Sequence, residues 1–207
     1  RMKAVIALAD AVTVSTKSLV KVFSKINKNV HVLSSCLSEA AFERSRKTTK
    51  APIIGWRGSA REQNDLKMVK DTIDKLVDEQ DASFVTRSDG DFAEDLSFFE
   101  RFHDFSIGIC PAADSTLGAD VSDLRFLEYA ALGIPTVASK ERPYLTIKHG
   151  KTGFLARNIN EWQEYLLRLV GDVGLRQEIG DAARKYALKE RTIETNIWRW
   201  EAVYKSL

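Results

Sequence analysis

Between Asp120 and Ser139 the sequence Asp-Val-Ser-Asp-Leu-Arg-Phe-Leu-Glu-Tyr-Ala-Ala-Leu-Gly-Ile-Pro-Thr-Val-Ala-Ser sets a helix, a stop and a strand end to end. Ser122 is placed to cap the helix, because its hydroxyl can accept from a backbone N–H that the first turn leaves without a partner. Asp123 adds negative charge where the helix dipole favours it. Leu124, Leu127 and Ala131, flanked by Phe126 and Ala130, recur at helical spacing and form an apolar face. Gly133 tolerates the left-handed conformation that ends a helix and Pro135 cannot continue it, so Thr136-Val137-Ala138-Ser139 follows as a buried strand. Ser122, Arg125 and Glu128 spread over roughly 120° of another face and can converge on one ligand. Polar groups at the start of a helix beside strand ends are suited to an anion.

The rest of the chain repeats this alternation. Ala11 to Ser15 reads as a strand, residues 16–26 as a helix and Asn29 to Leu33 as a second strand, after a helical start over residues 1–9. Residues 38–51 are rich in charge and hydroxyls and read as a linker. Then come a strand at 52–59, a helix with Leu66, Val69, Ile73, Leu76 and Val77 on one face, a strand at 83–86, a helix near 93–102 and a strand at 105–110. After the opening cassette, a Gly150-Lys151-Thr152-Gly153 turn leads to the apolar run 154–156 and to helices near 160–170, 175–188 and 193–204. Apolar strands alternating with helices predict an α/β fold of Rossmann-like, three-layer αβα type, with a parallel sheet covered on both faces. Such sheets bind ligands at the carboxyl ends of their strands.

Composition narrows the function classes. Lys+Arg 31 against Asp+Glu 29 leaves a net charge of +2 over 207 residues, so no large uniform field points to nucleic acid. Cys36 and Cys110 make neither a disulfide framework nor a zinc site, and a reducing cytoplasm is the expected compartment. No apolar run is long enough to cross a bilayer, which leaves room for peripheral attachment.

Four groups of residues are candidates for chemistry. Gly55, Gly58 and Ser59 sit at a strand-to-helix turn where backbone N–H groups can approach a phosphate, flanked by Arg57 and Arg61, although such turns are common in α/β proteins. Asp89-Gly90-Asp91 can pair carboxylates on a divalent metal, but is more often a turn followed by a helix cap. His31, His103 and His149 are scattered, with no spacing for a metal or for a base and nucleophile. Asp120 and Glu128 are the sharpest pair, because Glu128 lies on the same helix as the apolar stripe and is therefore held close to the sheet.

The combination resembles the C-terminal, donor-binding domain of retaining glycosyltransferases of the GT-B fold, the glycosyl transferases group 1, and within them the bacterial type that builds polysaccharide and O-antigen chains. The resemblance rests on Phe105 to Pro111, Asp120 to Ser139, Pro143-Tyr144, His149-Gly150 and Thr152 to Leu155, with Ala9 to Thr16 resembling the last strand of the acceptor domain. It implies residues 1–50 as the tail of the acceptor-side domain plus linker, 51–190 as the donor-binding domain and 191–207 as a C-terminal crossover helix. The implied reaction is transfer of a hexosyl group from a nucleoside diphosphate sugar to a glycan or glycolipid hydroxyl, with no cofactor and no metal. The implied donor-binding residues are Gly58, Ser59, Asp120, Ser122, Asp123, Leu124, Arg125 and Glu128, with Glu128 on the ribose hydroxyls, Asp120 on the donor sugar and Ser122 near the diphosphate. The acceptor-side groups belong to an N-terminal domain expected upstream, through which peripheral membrane association is also expected, and the chain alone is expected to turn over little. Asn64, Gly118 and Val121 stand where the family pattern carries other residues. These departures favour an alternative, a non-catalytic nucleotide-binding or scaffolding module with a degenerate site.

Overall fold

The computed structural model describes residues 2–47, 49–59, 62–88, 97–113 and 122–207, and in it the alternation of strand and helix forms two parallel sheets. The N-terminal part runs α1 (Met2–Leu8), β1 (Val12–Val14), α2 (Lys17–Phe23) and β2 (Val30–Val32), and β1 pairs with β2 in parallel, Thr13 opposite His31. Thr16 starts α2 by accepting from the Leu19 N–H at 3.4 Å.

The main sheet is built from β3 (Ile53–Gly58), β4 (Ser83–Ser88), β5 (Ile107–Cys110), β6 (Thr136–Ser139) and β7 (Phe154–Ala156), all parallel in the spatial order β4-β3-β5-β6-β7. Its helices are α3 (Gln63–Glu79), α4 (Ser97–Glu100), α5 (Leu124–Ala131), α6 (Ile159–Gly171) and α7 (Val173–Glu190), and α8 (Ile193–Lys205) ends the chain. Both faces are covered, which is why the strands are almost continuously apolar. On one face Ile54, Trp56, Ile107 and Val137 meet Val69 and Ile73 of α3 and Leu166 of α6. On the other, Phe102, Phe105 and Tyr129 pack with Phe126 of α5 and Ala183 of α7. Each such side chain contributes about 1.5–3 kcal/mol by leaving water.

The strand order places the ligand crevice. The chain steps from β3 outward to β4 and then returns past β3 to β5, so the direction reverses between β3 and β5. In an open parallel sheet the crevice lies there, beyond the carboxyl ends of the two strands. Residues just after Gly58 and Cys110 flank it.

The stop expected at Gly133 is observed in full. Gly133 has φ +70°, its N–H donates to Ala130 O at 2.9 Å, and the Ile134 N–H donates to Tyr129 O at 2.9 Å. This pair of bonds satisfies the last carbonyls of α5. Within residues 38–51, expected as a linker, Ala41 and Phe42 pack against the main core. Ala41 and Phe42, in a 3-10 turn over Glu39–Phe42, are buried in the cluster beneath α5 and α7. Arg184 of α7 secures this stretch by donating to the carbonyls of Phe42, Arg44 and Ala131. The segment has few large apolar groups, and an arginine supplies the backbone partners that it lacks. Of the helix expected near 93–102, Ser97–Glu100 is observed, and 93–96 lie outside the described residues. On α8, Asn196 and Val203 are buried, while Trp198 and Tyr204 are 59% and 67% exposed.

Candidate functional site

The start of α5 differs by one residue from the expected cap. Asp123 occupies the cap position without a side-chain capping bond, and Ser122 Oγ, one residue earlier, accepts from the Leu124 N–H at 3.0 Å. Ser122 Oγ also shares a hydrogen bond of 2.6 Å with Ser35 Oγ, which ties the helix entrance to the segment that follows β2. Leu124 is partly exposed at this entrance.

Asp123, expected among the donor-binding residues, is buried, and its carboxylate is engaged by partners within the protein. Its two oxygens accept from Arg191 Nη1 and Nη2, both at 2.7 Å, and Oδ2 also accepts from Thr146 Oγ1 at 2.7 Å. Arg191 further donates to the Ser35 carbonyl at 2.8 Å from Nη2 and 3.1 Å from Nε. Burial works to lower the Arg191 pKa, but Asp123 outweighs it and raises the value. A carboxylate aimed at a diphosphate would repel it. Held by Arg191, Asp123 instead latches α5 to the chain around Ser35.

Deeper in the crevice, Glu128 of α5 forms a buried ion pair with Arg57 of β3, from Arg57 Nη2 to Glu128 Oε2. The guanidinium lies over the Phe98 ring, 5.0 Å from its centroid, and 5.8 Å from that of Phe102. Arg57 is tied to α5 a second time, because its backbone N–H donates to Tyr129 OH at 2.9 Å. That bond depends on Gly108 of β5: a Cβ there would sit 2.4 Å from the Tyr129 ring, so only glycine lets the ring lie on the strand. Burial raises the Tyr129 pKa, keeping the hydroxyl neutral.

A second pair stands beside the first. Arg125 Nη2 donates to Glu62 Oε1 at 2.6 Å, and Glu62 Oε2 accepts from the Ser59 N–H at 2.8 Å and from Ser59 Oγ at 2.9 Å. Burial works to raise the Glu62 pKa, but Arg125 and the Ser59 donors outweigh it and hold the carboxyl below its ordinary value. Gly58 is required by packing, since a Cβ there would lie 2.2 Å from the Trp56 indole. Just after β5 the Ala112 N–H donates to Ser139 Oγ at 2.9 Å and the Ala113 N–H to Asp65 Oδ1 at 3.0 Å. Cys110 beneath it has its thiol pushed up to about 12 by burial and stays protonated.

The structure thus brings Gly58, Ser59, Ser122, Leu124, Arg125 and Glu128 to one end of the sheet. Asp120 lies outside the described residues, as do Arg61, Asp89, Gly90, Asp91, Gly118 and Val121. Sequence reading did not find Glu62, Asp65, Tyr129 or Arg191. Glu62 carried a local signal, since Ser followed three residues later by Glu is a capping-box pattern. The others act across long sequence separations and carried none. Chemically, the crevice holds alternating carboxylates and guanidiniums around the helix entrance. The pairing with Arg57 fixes the orientation of the Glu128 carboxylate.

No protein-family model matches the sequence, and no curated protein matches it. Solved structures do. A point mutant of TarM from S. aureus, in complex with Fondaparinux, alpha-GlcNAc-glycerol and UDP, superposes with a TM-score of 0.68 at 18% sequence identity, over 98% of this chain and 46% of its own. HepE from Anabaena, in complex with UDP and glucose, superposes with a TM-score of 0.66 at 15% identity, over 96% of this chain and 64% of its own. The C-terminal domain of LpcC, a glycosyl transferase group 1 family protein from Francisella tularensis, matches over 76% of this chain and 99% of its own, with a TM-score of 0.51 and 16% identity. The chain therefore spans 46% to 64% of the length of the first two. At these identities the shared property is the fold, and the chain has the parallel α/β architecture of glycosyltransferases of the GT-B type.

Proposed function

We propose that the chain is the donor-binding part of a retaining hexosyltransferase, which moves a hexosyl group from a nucleoside diphosphate sugar to a glycan or glycolipid hydroxyl in bacterial polysaccharide assembly. Glu128 accepts from the ribose hydroxyls, for which a fixed carboxylate is a strong partner. Asp120 meets the donor sugar. Ser122, Leu124 and the opening turn of α5 stand at the diphosphate, with Arg125 and Arg57 beside it to stabilise the leaving nucleoside diphosphate without a metal. Gly58 and Ser59 border the approach. Acceptor-side groups come from a further domain, and the enzyme works in the cytoplasm, at the membrane through that domain.

One observation carries this reading: Glu128 is buried at the point where the sheet reverses and is held there by Arg57. The likeness in fold to proteins solved with UDP supports it. The test is calorimetric titration with UDP and GDP. One of them gives saturable heat, and Glu128→Gln weakens its affinity by about 1–3 kcal/mol, the range for a buried polar partner left poorly matched. No saturable heat for either nucleotide overturns the reading. It would leave the alternative of a non-catalytic module with a degenerate site, which is favoured by one feature: Arg57 and Arg125 are both already paired with carboxylates of the protein.

A further inference from the structure

The entrance of α5 has a second side. Arg125 and Glu128 turn toward the crevice, but Asp123 and its partner Arg191 line a separate cavity of about 710 Å³ between the β1–α2 corner and the loop after β6. Lys17, Lys21 and Arg142 stand around its walls with exposed side chains. Arg142 Nη1 donates to Ser18 Oγ at 3.1 Å, closing the lip between loop and helix, and none of the three cations has a carboxylate partner among the described residues. Among the described residues the only acid in the lining is Asp123, and Arg191 already neutralises it. Ser15, Thr16, Ser18, Ser34 and Thr146 add hydroxyls.

The basic surface continues. A neighbouring cavity of about 440 Å³ shares Ser34, Thr146 and Arg191 with the first and adds Lys148 and Arg199, against a single acid, Glu190, among the described residues. Glu190 is itself 3.6 Å from Lys189. Lys148 lies over the Tyr186 ring, 5.5 Å from its centroid, which holds its ammonium at the cavity wall. Five cations around two adjoining hollows, with hydroxyls between them, suit a ligand with oxyanions at more than one position along its length. A concave, hydroxyl-lined channel suits a soluble chain better than a flat membrane.

We propose that this channel receives the acceptor of the reaction, and that the acceptor is a chain of sugars or polyols carrying repeated anionic groups such as phosphodiesters or sulfates. The inference rests on the glycosyl-transfer reading, because it places the acceptor across the α5 entrance from the donor crevice. Asp123 and Arg191 form the wall between the two sites. Their pairing keeps the acidic residue nearest the acceptor from repelling it.

The experiment is calorimetric titration of the chain with a short oligo(glycerol phosphate), a sulfated oligosaccharide and uncharged maltohexaose, alongside UDP. At least one anionic probe binds, maltohexaose does not, and salt weakens the binding as the Debye length shrinks toward ~3 Å near 1 M. The triple variant Lys17→Gln, Lys21→Gln, Arg142→Gln loses on the order of tenfold in affinity for the anionic probe, as expected for three exposed charge contacts. Its affinity for UDP is unchanged. These side chains are exposed, so circular dichroism should report the same fold. Equal binding of maltohexaose, or an unchanged affinity in the triple variant, overturns the proposal. So does binding to phosphatidylglycerol vesicles without binding to either soluble anionic probe. Loss of UDP binding with anionic-probe binding intact would remove the donor reading and leave the channel standing as an anion site.

Discussion

The crevice at the ends of β3 and β5 and the cavity on the far side of α5 both contain arginines, but they treat charge in opposite ways. In the crevice Arg57 is buried against Glu128 and the half-buried Arg125 pairs with Glu62, so both charges have protein partners already in place. In the cavity Lys17, Lys21 and Arg142 stand exposed around an acid that is already neutralised. Burial explains the difference. An ion taken out of water must have its partner in place before any ligand arrives, whereas an exposed ion keeps its water until a ligand replaces it. The crevice is therefore preorganised and nearly neutral, and the cavity is open and basic.

The largest expected effect comes from the residue that separates the two. Arg191→Ala leaves Asp123 buried without its cation and should destabilise the chain by about 3–5 kcal/mol in urea unfolding. A loss below about 1 kcal/mol would mean that the latch is a surface pair and that the contrast between the regions is overstated. Tyr129→Phe tests the crevice alone. It removes the acceptor for the Arg57 N–H and should cost about 1–3 kcal/mol, with little change if water replaces the hydroxyl.

The smallest effect is pH-dependent and comes from Glu62. Its folded-state pKa is depressed, so its contribution is complete above its unfolded pKa of about 4.3 and is lost as pH falls through the lower folded value. Wild type and Glu62→Gln should therefore differ in stability near neutral pH and converge in acid, as measured by thermal unfolding. A gap that persists in acid would show that Glu62 acts by packing rather than by charge.

How much of this was legible in the sequence depends on how far apart the partners are. The end of α5 was readable because Gly133, Ala130 and Tyr129 lie within one turn, and a glycine at that position has one dominant local explanation. The same locality gave Ser59 and Glu62 a capping pattern, which the sequence reading passed over. In the polar stretch 38–51 composition suggests solvent, and it did not show that Phe42 is buried or that Arg184 donates to its carbonyl. The partner of Asp123 was hidden for a related reason. Acid at a helix start is ordinarily favourable by itself, and its true partner Arg191 lies 68 residues away.

The order of elements, the parallel sheet covered on both faces and the presence of Glu128 on a sheet-packed helix all followed from periodicity and glycine placement, since these act between residues close in the chain. Which cations are neutralised was decided only by the tertiary structure. Arg57 and Glu128 are 71 residues apart, and Lys17 comes to share a cavity with Arg142 only after the loop beyond β6 has folded back over α2. Charge pairing depends on distance in space and on burial, and neither is written in local sequence.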